Sequence, residues 1–412
     1  NQEANLVKFL ALCSARNQVE FSRSALFLAN AQLASLWYNA YGEIFRTGVV
    51  NPLVCKNLQE HYAFEGEGYD SIHEAQELFF GSTYVDGETD RLVKPRVNAC
   101  VRRSISQLAG PIKNHPNPKK IAVISSVWYP GHSVYRNYYH YLKALKGYHL
   151  TFFRLHNPRP EMDLSLFDEV RSLDREKGQL NLDSIRDNDF VLVYFPDVGM
   201  HYDSIALANL RLAPIRVASP GHSVSTWGSE LDYFISGVDA ELPRHSERNY
   251  SERLVLLPGC GVIHNVPNYT PEGRKKSVSE FVINCPWTAM KMNARFVETI
   301  RELLARTYRK LRLRLFVAGS LQRQNDFLPF ANMIFHALGK ENVELVTARA
   351  YGDFMKLMEE GDLSIDSYHF GGCNSVADSL FLRKPIVTWE YDKWYGRIGS
   401  AMLRMIGLDE LI

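Results

Sequence analysis

Apolar residues recur along this chain in two different rhythms. Up to about residue 108 the spacing is helical, most clearly in Ser24-Ala-Leu-Phe-Leu-Ala-Asn-Ala-Gln-Leu-Ala-Ser-Leu-Trp37, and no long alternating stretch suggests strands. Residues 1–110 are therefore expected to form an all-α domain. The breaker cluster Pro111-Ile-Lys-Asn-His-Pro-Asn-Pro118 marks its end. Short β-branched runs then alternate with helical segments. Strands are predicted at Lys120–Ser126, Leu150–Phe153, Phe190–Tyr194, Ile215–Ala218 and Tyr233–Ser236, with a helix over Ser133–Leu145. A second series follows Pro258-Gly259, with strands at Phe281–Asn284, Leu313–Ala318, Val343–Val346, Leu363–Asp366 and Pro385–Thr388. Its helices are predicted at Ala294–Tyr308, Asp326–Leu338 and Tyr351–Glu360. This alternation predicts an α/β fold with parallel, doubly wound sheets. Two Rossmann-like domains, 119–260 and 261–412, would face a cleft.

Ligands of such sheets lie beyond the carboxyl ends of the strands, and each candidate residue follows a predicted strand. The richest stretch is Asp366-Ser-Tyr-His-Phe-Gly-Gly-Cys-Asn-Ser-Val-Ala-Asp378. Gly371 and Gly372 lack Cβ atoms, so an anion can approach the backbone. A helix starting near Asn374 offers it free N–H groups and a positive dipole end. Asp378 shares a helix face with Asn374 and can accept two ribose hydroxyls. Together these features outline a nucleotide-sugar site, with Cys373 and Ser375 in its phosphate loop. No flanking pattern makes Cys373 a nucleophile. Lys291, closing Asn284-Cys-Pro-Trp-Thr-Ala-Met-Lys291, can set an ammonium on a diphosphate; the plain alternative is a solvated loop lysine. The triplet Gly131-His132-Ser133 recurs as Gly221-His222-Ser223 after another strand of the first half. His132 is a donor, a base or a helix cap, and His222 a ligand-facing or a turn-closing histidine. The backbone at Arg349 and Ala350 can pair with a base edge beside Tyr351, or form an ordinary turn.

Composition narrows the classes. Apolar residues make up 46% and charged residues 23%, as in soluble globular proteins, and the formal charge of +1 favours neither nucleic acid nor an anionic membrane. Apolar runs are too short for a membrane span. Six scattered cysteines without a Cys-x-x-Cys pair fit free thiols in a cytoplasmic protein. The chain begins at Asn1 rather than Met and reads as an excerpt. Asp362-Leu-Ser-Ile-Asp366 lacks the Asp-x-Asp spacing and no His-x-x-x-His pair occurs, so a reaction without metal or cofactor is expected.

Several ordered motifs carry a resemblance. They are His132-Ser-Val-Tyr-Arg136, Asn209-Leu-Arg-Leu-Ala-Pro-Ile215 leading to Gly221-His222, Thr288-Ala-Met-Lys-Met-Asn293, and Phe370-Gly371 with Asn374 and Asp378. Tyr250-Ser-Glu-Arg-Leu-Val-Leu-Leu-Pro258 adds a fifth. The chain resembles the family of O-GlcNAc transferases and bacterial cytoplasmic N-glucosyltransferases of high-molecular-weight adhesins, closer to the adhesin branch. It departs from the O-GlcNAc branch at Cys373–Ser375 and from the adhesin branch at Ala348–Ala350 and Ser367–His369, and Val127 and Tyr129 replace histidines usual before the acceptor motif. The resemblance implies a GT-B fold whose second domain is C-terminally incomplete here. It also implies inverting, metal-independent transfer of a hexose, glucose first, from a UDP-sugar. The acceptor would be Asn or Ser/Thr of an adhesin-like protein. Lys291 would contact the diphosphate, Asp378 the ribose, His222 the sugar and diphosphate, and His132 the acceptor. The rivals are an O-GlcNAc-transferase-like enzyme with another donor or acceptor, and a non-catalytic GT-B module serving a glycosyltransferase.

Overall fold

Several predicted strands are near-continuous apolar runs, as strands covered on both faces require, whereas Leu311-Arg-Leu-Arg-Leu-Phe316 alternates, its leucines buried and its arginines half-buried. The computed structural model describes residues 2–66, 76–85, 88–112, 115–155, 161–173, 175–176, 179–222, 224–273, 280–317, 324–347 and 349–412. Ala318, Ala348, Ser223 and the linker residues Lys113 and Asn114, which fall in predicted segments, lie outside them. The chain divides into two compact units, Asn1–Ile72 with Gly81–Thr89 and Val266–Ile412, and His73–Phe80 with Asp90–Asn265.

The second of these units holds a seven-stranded sheet. Its strands are β1 (Asn117–Ser125), β2 (His149–Arg154), β3 (Glu169–Ser172), β6 (Phe190–Phe195), β7 (Ile215–Ala218), β8 (Tyr233–Gly237) and β9 (Arg253–Leu257), while β4 (Arg175–Glu176) and β5 (Gln179–Leu180) form a separate ribbon. The order is β3-β2-β1-β6-β7-β8-β9, and every pair in it is parallel. Chain order reverses between β1 and β6, so their carboxyl ends flank the topological switch point. β1 starts earlier than expected, with Pro118 inside it. The missing N–H is tolerated because pairing with β6 slips in register between Asn117 and Ile121. The edge strands β3 and β9 have no counterpart among the predicted strands: Glu-Val-Arg-Ser is polar, and β9 leaves Val255 and Leu256 exposed. The helix Ser133–Ala144 packs Val134, Tyr135, Tyr138 and Leu142 against Ile121, Val123, Leu150 and Phe152.

The other unit pairs a five-stranded parallel sheet with the N-terminal helices. Its strands β10 (Phe281–Cys285), β11 (Leu311–Phe316), β12 (Val343–Val346), β13 (Leu363–Ile365) and β14 (Ile386–Val387) run in the order β12-β11-β10-β13-β14, with the switch point between β10 and β13. Helices Ala294–Arg306 and Gln324–Leu338 bury Phe296, Val297, Ile300, Phe330 and Ile334 on β10 and β11. The N-terminal segment joins this unit through a parallel bridge, Val49 N–H donating to Met292 O at 2.8 Å. The single helix expected over 24–37 is two, Arg23–Ala29 and Ala31–Gly42. Asn30 breaks it, ending one helix with its N–H on Leu26 O and capping the next with its side chain on Leu33 N–H at 3.0 Å.

Candidate functional site

In the unit built on β10–β14, two loops leave the strands that flank the switch point. The loop after β10 is fastened by Trp287, whose indole N–H donates to Ile365 O at 2.7 Å. It ends on Lys291, whose Nζ donates to Gly371 O at 2.8 Å and lies 5.1 Å from the Phe370 ring centre. Phe370 in turn stacks at 4.5 Å on both Tyr84 and Tyr395. The loop after β13 is pinned at almost every residue. Trp389 Nε1 donates to Asp366 O at 2.8 Å, Asn293 Nδ2 to Tyr368 O at 2.5 Å, Ser367 Oγ to Phe370 O at 2.7 Å, and Gly371 N–H to Tyr395 O at 2.9 Å.

Beneath this loop lies Asp366, 3% exposed, whose Oδ1 accepts from Ser367 N–H at 2.8 Å and Gly372 N–H at 2.7 Å. Burial lifts its carboxyl to about 6 against the pull of Lys291 and the two amides. Burial also lowers the Lys291 ammonium below the usual lysine range, while Asp366 and Cys373 draw it back up. The two glycines serve the loop's own packing as well as any ligand. A Cβ at Gly371 would stand 2.8 Å from Asp366 Oδ2, and one at Gly372 2.0 Å from Ser375 Oγ.

Cys373 is the N-cap of the helix Asn374–Phe381 and makes no side-chain bond to its first turn. Cys373, Asn374 and Ser375 are half-buried at that terminus. Asp378, 2% exposed, accepts from the Tyr351 phenol at 2.7 Å on Oδ1. Arg349 and Ala350 are exposed on the turn before the helix Tyr351–Glu360. Lys291, Gly371, Gly372, Cys373, Asn374, Ser375 and Asp378 thus belong to one site, with the 349–350 turn reached through Tyr351.

His132, Gly221 and His222 belong to the other unit. His132 is the N-cap of Ser133–Ala144, its Nδ1 accepting from Val134 N–H at 3.2 Å. A neutral ring that accepts at Nδ1 carries its proton on Nε2, so His132 caps the helix and presents a donor there. His222, 5% exposed, closes the turn Pro220–His222 and stacks on Phe80 at 4.6 Å. Burial, and next the Lys94 charge, hold its imidazole neutral, well below the usual histidine range. Gly221 has no alternative, because a Cβ there would lie 2.0 Å from Pro196 O.

Sequence reasoning passed over three groups: Asp366 as loop support, the Tyr351–Asp378 bond, and Asp197. Asp197 is 0% exposed just beyond β6, accepting from Ser125 Oγ at 2.5 Å and Ser126 Oγ at 3.4 Å. The rule that found His132, a polar residue just past a buried strand, applies equally to Phe195-Pro-Asp197. Among the described residues no group of three His, Cys, Asp or Glu gathers for a metal, and no helix is long and apolar enough to cross a membrane.

No protein-family model matches the chain. It is 22% identical over 354 residues to the UDP-glucose:protein N-beta-glucosyltransferase of Actinobacillus pleuropneumoniae serotype 5b, covering 82% of this chain and 56% of that one. It is 22% identical over 218 residues to the probable UDP-N-acetylglucosamine–peptide N-acetylglucosaminyltransferase SPINDLY of Petunia hybrida, covering 51% and 23%. This chain is a relative of these glycosyltransferases. It spans about half the length of the curated glucosyltransferases it matches, 56% and 40% for two of them. A point variant of the Thermobaculum terrenum O-GlcNAc transferase superposes over 100% of this chain and 87% of its own, with a TM-score of 0.60 at 19% identity. The expected GT-B fold is borne out.

Proposed function

We propose that this chain catalyses transfer of a hexose, glucose first, from UDP to side chains of a protein acceptor, Asn or Ser/Thr, with inversion and without a metal ion. One observation carries this reading. The Lys291 ammonium meets the glycine loop that opens the helix Asn374–Phe381, and Asp378 lies one turn on. An ammonium and a helix N-terminus supply the positive charge that a departing diphosphate needs. In the reaction the anomeric C–O bond to the β-phosphate breaks, and UDP leaves with the bonding pair. The acceptor atom bonds to the anomeric carbon from the opposite face, and its proton passes to solvent water. Lys291 exchanges Gly371 O for a phosphate oxygen, and Asp378 takes the ribose hydroxyls beside the Tyr351 phenol. His222, neutral by burial, contributes hydrogen bonds near the sugar, and His132 donates from Nε2 toward the acceptor. Backbone groups at Arg349 and Ala350 hold the base. The likeness to UDP-glucose:protein N-beta-glucosyltransferases supports UDP-glucose and a protein acceptor. Six cysteines, none of them in a disulfide among the described residues, support a cytoplasmic setting.

The test is UDP release with UDP-glucose, UDP-galactose and UDP-GlcNAc over a peptide bearing Asn-x-Ser/Thr, with and without EDTA. Peptide-dependent turnover that survives EDTA and falls about 10²–10³-fold in Lys291→Ala is expected. UDP binding without turnover on any donor would point to a binding module, and absence of UDP binding would overturn the site.

A further inference from the structure

The switch point of the seven-stranded sheet holds a buried carboxylate that the proposed reaction does not use. Asp197 follows β6, and Ser125 ends β1. Oδ1 takes the Ser125 hydroxyl at 2.5 Å and Oδ2 the Ser126 hydroxyl at 3.4 Å, and among the described residues no cation pairs with it. The Tyr194 phenol is the other titratable group near it, itself bonded to Ser219 Oγ at 2.7 Å. Two hydroxyls and the Ser126 backbone N–H, without a cation, compensate a buried charge poorly, so the carboxylate is not there for stability.

Its contacts reach the loops that carry His132 and His222. From Asp197 a series of bonds runs along the loop after β1. Ser125 Oγ donates to the carboxylate and accepts from Val127 N–H at 3.2 Å; Tyr129 N–H donates to Val127 O at 3.1 Å, and His132 N–H to Tyr129 O at 2.9 Å. On the opposite side lies the turn after β7. Ser219 Oγ donates to Pro196 O at 3.4 Å, and a Cβ on Gly221 would stand 2.0 Å from that oxygen and 3.0 Å from Asp197 Cα. A Cβ on Gly199, two residues after Asp197, would lie 3.6 Å from His222 Cδ2. We propose that Asp197 is a positioning residue, clamping the His132 loop to the segment on which the His222 turn rests, so that acceptor handling depends on it. This rests on the functional reading above.

Asp197→Asn keeps the shape but turns Oδ2 from an acceptor into a donor and removes the charge that strengthens both bonds. Ser125→Ala removes the first link and serves as the second variant where the first fails to fold. UDP affinity is expected to stay within about twofold, because Lys291, the 371–375 loop and Asp378 follow other strands, while kcat/KM for the acceptor peptide falls about tenfold or more. Amide hydrogen exchange over residues 125–132 should accelerate in the same variants. Unchanged exchange there, or acceptor kinetics within twofold of the parent, overturns the clamp. Should the parent protein fail to bind UDP, the functional reading has failed, and the exchange measurement alone decides the clamp.

Discussion

Asp197→Asn should change stability with a pH dependence that only a strained carboxylate produces. Burial lifts the Asp197 carboxyl from an ordinary 3.8 to about 6, outweighing the hydroxyl and amide donors at Ser125 and Ser126. The folded protein then binds this proton more tightly than the unfolded chain. The stability this group contributes is full below pH 3.8 and is lost as pH rises through 6. At about 1.4 kcal/mol per unit, the ionised form costs roughly 3 kcal/mol at pH 8. About half of that, ~1.5 kcal/mol, is incurred between pH 5 and pH 8. Asparagine incurs none of it but weakens two hydrogen bonds, a loss of about 1–1.5 kcal/mol at every pH. The variant should therefore be near parity with the parent at pH 5 and more stable at pH 8. At about 2–4 °C per kcal/mol for domains of 150–250 residues, the Tm difference between variant and parent should widen by about 3–6 °C. Thermal unfolding of both proteins in matched buffers at the two pH values measures it, since other titrating groups cancel in the difference. A Tm difference that is the same at both pH values would show that the carboxyl ionises normally, and the argument from burial would fail.

Removing the Tyr351 hydroxyl with Phe takes one donor from the buried Asp378; stability should fall by about 1–3 kcal/mol, and UDP affinity should change by about two- to tenfold, read by calorimetry. His132→Ala should lose about 1 kcal/mol of stability with the helix cap, and His132→Asn should restore it. Turnover should fall in both, and recovery of activity in the Asn variant would show that His132 only caps. Gly221→Ala should destabilise by about 1–3 kcal/mol, because its Cβ would stand 2.0 Å from backbone Pro196 O, whereas Gly131→Ala, whose nearest neighbour is 3.8 Å away in the Tyr129 ring, should be near neutral in denaturant titration.

The parallel strands were legible because burial on both faces leaves an apolar run, unbroken in Ile121–Ile124; in Leu311–Phe316, where Arg312 and Arg314 interrupt it, the buried leucines and Phe316 carry the signal. Edge strands carry no such signal: β3 reads Glu-Val-Arg-Ser, and nothing local distinguishes it from a loop. The two-helix break at Asn30 was legible in principle, since Asn both ends and caps helices, but the apolar period runs on through it. Lys291, Gly371 and Asp378 declared themselves by residue type and position after strands. What they touch did not. That Lys291 rests on Gly371 O, 80 residues along the chain, and that Tyr351 occupies Asp378, are facts of tertiary packing. Asp366 and Asp197 escaped for a related reason, because a carboxylate after a strand is ordinary until its burial is known.

Those two carboxylates show how the sheets differ in chemistry despite a shared plan. Each follows a strand at its sheet's switch point, and each is raised to about 6 by burial. Asp366 has the Lys291 ammonium to offset its charge and spends both its Oδ1 bonds on backbone N–H groups. Those bonds aim the neighbouring loop, and the cation beside it remains available to an incoming anion. Among the described residues Asp197 has no such partner, and its bonds go to two hydroxyls and one backbone N–H of the adjacent strand end. A compensated carboxylate suits a site that must hold a diphosphate, since ligand charge then replaces the internal partner of Lys291. An uncompensated one suits a site that must order neutral groups, a capping histidine and a buried histidine, without drawing an anion toward them. Neutralising Asp366 should therefore act on donor binding and neutralising Asp197 on the acceptor. A pair of Asn variants measured against both substrates would separate the two, and identical kinetic profiles would refute the division.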